Sequence, residues 1–211
     1  MRIIVVRHGE TDWNREGRFQ GDLDVPLNEH GLKQAEILSI ALAKEKIDII
    51  FSSPLRRALD TAKAIAMRQS APIFVKDELK EISFGEWEGL LASEVKRRYS
   101  EVYEIWKREP EKALVPSGES LEMVLHRVNS LLYPMLDRYD KETVLIVGHG
   151  GVNKVLFCSL LGLPLSYFWV FRQDNASLSI LERRDDGKFS LRVFNDTCHL
   201  CMADNYVEGA P

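Results

Sequence analysis

Short unbroken runs of β-branched residues alternate along the chain with longer stretches in which apolar positions return every three or four residues. Ile3 to Val6 and Val144 to Val147 are such runs, the pattern of strands covered on both faces in a parallel sheet. "IDIIFSS" and "APIFVK" predict two more strands. Asn28 is a fitting N-cap for a helix reaching Lys44, with Leu32, Ala35, Leu38, Ala41 and Leu42 on its inward face. Ser53 predicts a second cap, with Pro54 in the first turn of "PLRRALDTAKAIA". The loop "DELKEISFGEWEG" and a helix near "LASEVKRRYSEVYEIW" come next. "PSGES" opens a long helix with the stripe Leu121, Val124, Leu125, Val128, Leu131, Leu132, Met135 and Leu136, which Pro134 should kink. "TVLIVG" predicts a strand and "VNKVLFCSLLG" a helix; "ASLSILER" and "FSLRVFN" predict an edge hairpin around Asp185, Asp186 and Gly187.

Strands alternating with helices define an α/β chain. Its crossovers bring the carboxyl ends of the parallel strands to one edge, where open sheets hold ligands. At 211 residues and 45% hydrophobic, the sequence suits a single domain over 1–211, with no repeat or linker dividing it. A formal charge of -4 argues against nucleic acid or an anionic membrane as partner. No run approaches the ~18 apolar residues of a spanning helix, and the first strand consumes the N-terminus, so a cytoplasmic protein is expected. The three cysteines give no disulfide framework. Cys158 reads as core, and Cys198, His199 and Cys201 in "TCHLC" lack the second cluster of a structural zinc site, so no metal is expected.

Three strand ends carry candidate chemistry. Arg7, His8 and Gly9 follow the first strand; Arg56 and Arg57 open the helix after the second; Gly148, His149, Gly150 and Gly151 follow a later one. An arginine in the first turn of a helix opposes the macrodipole unless an anion is bound there, so one of the Arg56 and Arg57 pair is expected to be functional. Arginine forks and imidazoles around glycine-permitted backbone describe a phosphate pocket.

Four segments in order, "IIVVRHGETDWN", "SSPLRRALDTA", "EISFGEWEG" and "VLIVGHGG", resemble the histidine phosphatase superfamily, also called phosphoglycerate mutase-like, across nearly the whole chain. The resemblance implies a three-layer α/β/α sandwich, with a mostly parallel sheet and an antiparallel edge, in a single histidine phosphatase domain. It also implies a phosphohistidine mechanism without metal or cofactor. His8 would be the nucleophile. Arg7, Arg57 and His149 would bind phosphoryl oxygens, with Asn14, Gln20, Gly21 and Gly150 lining the substrate site. Glu81 matches the family's proton donor; Glu78, Glu86 and Glu88 are the competing acids, and only motif register selects Glu81. The flanking arginines should keep His8 unprotonated, and Glu81 beside the bound anion should hold the proton that the leaving oxygen takes.

"GEWEG" stands where the mutase branch typically has residues like "YGALQG", so the resemblance favours a phosphatase of small phosphorylated metabolites, such as α-ribazole 5'-phosphate or phosphoserine. A cofactor-dependent phosphoglycerate mutase and a non-catalytic phospho-ligand binding module are the alternatives. Trp13, Phe19, Trp87, Tyr103 and Trp106 are candidates for the pocket mouth or for core. His30 and His126 read as surface residues, and His199 as structural or close to substrate. The edge hairpin leaves a homodimer open.

Overall fold

The two β-branched runs are neighbours at the centre of a six-stranded sheet. The computed structural model describes residues 1–203; positions 204–211, the end of the expected 1–211 unit, lie outside the described residues. The sheet order is β3 (Ile73–Val75), β2 (Ile49–Ser52), β4 (Thr143–Gly148), β1 (Arg2–Arg7), β5 (Leu178–Arg183) and β6 (Phe189–Asp196). The first four are parallel, and β5 and β6 add the antiparallel edge.

Helices cover both faces: α1 (Asp12–Glu16), α2 (Glu29–Ala41), α3 (Arg56–Ala66), α4 (Ala92–Arg98), α5 (Ser100–Arg108), α6 (Leu121–Arg138), α7 (Gly150–Leu161) and α8 (Cys198–Ala203). Alternate residues of the central strands enter two separate cores. Ile4, Val6, Leu145 and Val147 pack with Leu38, Ala58, Ala62 and Ile65 of α2 and α3. Ile3, Val5, Val144 and Ile146 pack with Val124, Val128, Val155 and Leu156 of α6 and α7. Each such Val or Ile stabilises the fold by roughly 1.5–3 kcal/mol, which explains why these strands lack polar positions. The architecture is a three-layer α/β/α sandwich of the phosphoglycerate mutase-like kind. Among the described residues no helix is long and apolar enough to cross a membrane.

Several local expectations are corrected. Leu32 is 55% exposed and Ala41 is also exposed, because α2 turns Gly31 inward against the loop after β1. A Cβ on Gly31 would lie 2.0 Å from the Glu10 carbonyl oxygen, so Ala35, Leu38 and Leu42 carry the inward face. Ser53 does not cap α3, which begins at Arg56 after an extended Leu55; Ser53 Oγ accepts from the Leu55 amide at 3.3 Å and from His149. The helix expected over 91–106 is two, parted at Tyr99, whose backbone leaves the helical region.

Candidate active site

The parallel pairing of β1 and β4 places Arg7 opposite Gly148, so the residues that follow meet at one edge. The His8 amide donates to the Gly148 carbonyl at 3.1 Å, and the Ser53 amide donates to Val147 at 3.1 Å. The loop after β1 is pinned from two sides. Thr61 of α3 accepts from the Gly9 amide at 3.2 Å, and Asn175 Nδ2 lies 3.2 Å from the carbonyls of both His8 and Gly9.

His8 is buried, with Nδ1 2.6 Å from the Gly9 carbonyl oxygen. A carbonyl only accepts, so Nδ1 carries the hydrogen and Nε2 keeps the lone pair. Burial, then Arg57 and Arg7, push the His8 pKa well below the usual imidazole range. The neutral ring is therefore the resting form at neutral pH.

Arg57 and Arg56 separate cleanly: Arg57 is 1% exposed, whereas Arg56 points outward. Arg57 donates through Nε to His149 Nδ1 at 3.1 Å and through its two Nη atoms to the carbonyls of Leu23 and Gly21, at 2.6 and 2.7 Å. A guanidinium has five N–H donors, so two remain for a ligand. Burial lowers its pKa to about 10, opposed by Glu81 and Asp24, and it stays charged at neutral pH. Arg7 donates to the Gln173 carbonyl at 2.5 Å and has a buried Nε with no partner. Gly21 serves Arg57 through its carbonyl, and its φ of +58° with a Cβ position 1.9 Å from Glu88 Oε1 excludes a side chain there.

His149 is fully buried behind this wall, its ring centroid 5.0 Å from that of His8. Since Nδ1 accepts from Arg57, Nε2 carries the hydrogen and donates to Ser53 Oγ at 2.8 Å. Burial, followed by Arg57, drives its pKa well below the usual value. Both nitrogens are engaged by protein, which differs from the direct phosphate contact expected.

Glu81 sits across the cavity at the N-terminus of α7. Its Oε2 accepts from the Gly151 amide at 2.9 Å; Oε1 accepts from Val152 at 2.8 Å and from Ile82 at 3.0 Å. Of about four acceptor positions on a carboxylate, the one left is on Oε2. A Cβ on Gly151 would come within 2.6 Å of Oε1, so the glycine makes room for the carboxylate. None of the competing acids lines the cavity. Glu88 accepts from Phe84, Glu86 from the Tyr99 hydroxyl, and Glu78 lies in a groove between β3 and α6.

The cavity measures about 270 Å³ and is lined by Arg7, His8, Asn14, Gln20, Gly21, Arg57, Glu81 and Gly150. Asn14 Oδ1 accepts from Thr11 and Asn175, which leaves its amide nitrogen for a ligand. Gln20 Oε1 is buried without a partner. Phe19, Tyr103 and Trp106 line the wall, while Trp13 and Trp87 do not. Gly151, expected at this strand end, also lines it, and sequence reasoning missed Arg18, Phe84, Lys107, Lys154, Phe168, Trp169 and Gln173. Lys154 had a signal, lying one helical turn beyond Gly150 and Gly151 behind His149; the other missed residues come from distant segments with no shared motif. His199 lies outside the cavity wall, with Nε2 donating to the Ala176 carbonyl at 3.1 Å. His30 and His126 are exposed. Among the described residues, no three metal-ligating side chains gather.

A neutral imidazole with a free nitrogen, buried between arginines and faced by a carboxyl group, suits phosphoryl transfer. The chain belongs to the histidine phosphatase superfamily (branch 1), whose family model matches residues 3–197. It is thus a phosphomonoester hydrolase by class. It is 40% identical over 208 residues to "Phosphoserine phosphatase 1" of Hydrogenobacter thermophilus, covering 99% of this chain and 97% of that protein. Identity to "Adenosylcobalamin/alpha-ribazole phosphatase" of Escherichia coli is 31% over 196 residues, covering 92% and 96% respectively. Among solved structures, the phosphoserine phosphatase mutant from Entamoeba histolytica in complex with phosphoserine superposes with a TM-score of 0.84 at 31% identity. That match covers 94% of this chain and 98% of that one.

Proposed function

We propose that this enzyme hydrolyses the phosphomonoester of a small metabolite, with phosphoserine as the first candidate and α-ribazole 5'-phosphate as the second, through a phosphohistidine at His8. The observation that carries the reading is the His8 ring, with Nδ1 held by the Gly9 carbonyl at 2.6 Å and Nε2 left to attack. Arg7 and Arg57 bind the equatorial oxygens, helped by Asn14 and Gln20. His149 holds the Nε edge of Arg57 and is assigned a positioning role.

In the first step His8 Nε2 bonds to phosphorus, the ester P–O bond breaks, and the leaving oxygen takes a proton from Glu81 Oε2. In the second, Glu81 takes a proton from water, the water oxygen bonds to phosphorus, and the P–N bond breaks to restore neutral His8. Such reactions need roughly 20 kcal/mol of barrier lowering, so the arginines and the amides that hold Glu81 must act together.

Phosphate release from phosphoserine, α-ribazole 5'-phosphate and p-nitrophenyl phosphate is the test. Release without interconversion of 2- and 3-phosphoglycerate is expected; interconversion without release would make the enzyme a mutase. A cytoplasmic setting fits the free thiols of Cys158, Cys198 and Cys201. Among the described residues the outer edge of β6 pairs with no further strand, which suits pairing with a second copy; light scattering would report that as a doubled mass.

A further inference from the structure

The cavity holds more positive charge than a phosphate needs. Its wall carries Arg7, Arg18, Arg57, Lys107 and Lys154 against a single acid, Glu81. Arg7 and Arg57 serve the phosphoryl group, and Arg18 is held by Glu16 and the Gly89 carbonyl. Lys107 and Lys154 have no ion-pair partner among the described residues.

The two lysines form one cluster. Lys154 Nζ lies 4.2 Å from the ring centroid of Trp169 and 4.9 Å from that of Phe168; Lys107 Nζ lies 4.8 Å from the Trp169 centroid. Trp169 is anchored by its Nε1, which donates to the Trp106 carbonyl at 2.7 Å. Lys154 follows Gly150 and Gly151 by one turn of α7, which puts it about 5–6 Å along the helix from the residues that hold Glu81. A group two or three bonds beyond the ester oxygen spans that gap. At about 270 Å³ the cavity is small, and ammonium groups already sit over Trp169, so a heteroaromatic leaving group finds little stacking surface there.

We propose that Lys154, assisted by Lys107, recognises a carboxylate on the leaving group, so that the enzyme selects small phosphomonoesters that also bear a carboxylate. This rests on the phosphatase reading above and deepens it. Burial is the main cause that lowers the Lys154 pKa, to about 8, with Glu81 opposing. The charged groups facing it are Lys107 from α5, Arg7 from β1 and Glu81 from the loop before α4. A carboxylate that joined the cluster would favour the ammonium form.

The test compares kcat/KM for phosphoserine, phosphoethanolamine and p-nitrophenyl phosphate, the first two differing only in the carboxylate. Lys154→Gln is expected to lose about tenfold to a hundredfold on phosphoserine and less than about twofold on the other two, with Lys154→Arg restoring most of the loss. Lys107→Gln should shift the same ratio by less. In the wild type, the phosphoserine to phosphoethanolamine ratio should hold up to about pH 8 and fall above it as the ammonium deprotonates. Equal losses on all three substrates, or no wild-type preference for phosphoserine, would overturn the carboxylate site and leave the phosphatase standing. No wild-type turnover of any of the three would refute the phosphatase itself.

Discussion

At the floor of the cavity Arg57 is 1% exposed, three of its donors have protein acceptors, and His8 and His149 each have a hydrogen-bonded ring nitrogen. At the mouth, Lys107 is exposed and Trp169 is 39% exposed, and both lysines lie over aromatic rings with no ion-pair partner among the described residues. The floor is fixed before any ligand arrives, as charge stabilisation in a transition state requires. The mouth has polar groups whose partners the substrate must bring, which is how a site discriminates among leaving groups.

Substitutions at the floor should therefore reach every substrate, and those at the mouth only some. Apart from loss of the nucleophile itself, the largest effect expected is from Arg57→Ala, a loss of about 10²–10³ in kcat on phosphoserine and p-nitrophenyl phosphate alike. If His149 acts by holding Arg57, His149→Ala should cost activity in the wild type and little more in the Arg57→Ala background; additive losses in this cycle would give His149 an independent role.

Gly151→Ala comes next. Alanine favours a helix by about 1 kcal/mol over glycine, yet its Cβ would press within 2.6 Å of Glu81 Oε1. Turnover of a poor leaving group should fall by about tenfold to a hundredfold, and the melting temperature should fall as well, since the same Cβ would lie 2.7 Å from buried Ile82 Cδ1. Unchanged turnover would release Glu81 from its assigned place. At the mouth, Lys154→Gln should move only the substrate ratio described above.

The smallest effect concerns stability. His8 and His149 have pKa values held well below the unfolded value of 6.5 by burial and by Arg57. Above pH 6.5 both states are neutral there; as pH falls below it, the unfolded chain binds protons that the fold refuses, and stability drops toward the folded pKa values. Each unit of depression is worth about 1.4 kcal/mol. Urea midpoints measured from pH 7.5 to 5 should decline, and less steeply in the His8→Ala, His149→Ala double variant; equal slopes would contradict the burial account.

The same contrast explains what the sequence disclosed. Floor residues follow strands directly, so the apolar runs that locate β1 and β4 also locate His8 and His149, and the sheet register brings them together. Arg56 and Arg57 are indistinguishable by pattern, and burial separates them. Ser53 was legible as a cap by residue type, but α3 begins three residues later, and its hydroxyl joins the Leu55 amide to the tertiary contact with His149. Glu81 needed the family motif, since its place depends on amides of α7 about 70 residues away. Lys107, Phe168 and Trp169 belong to the mouth only because α5 and the turn after α7 pack together, and no local spacing encodes that.

The covalent role of His8 is the centre of this account, and trapping the intermediate tests it most directly. Wild-type enzyme quenched during turnover of radiolabelled phosphoserine should carry an acid-labile, alkali-stable phosphoryl group on the peptide containing His8. His8→Ala should carry none and should lose about 10⁴-fold or more in turnover. A His8→Ala enzyme that turns over at a wild-type rate, or a phosphoryl group found on another residue, would contradict it.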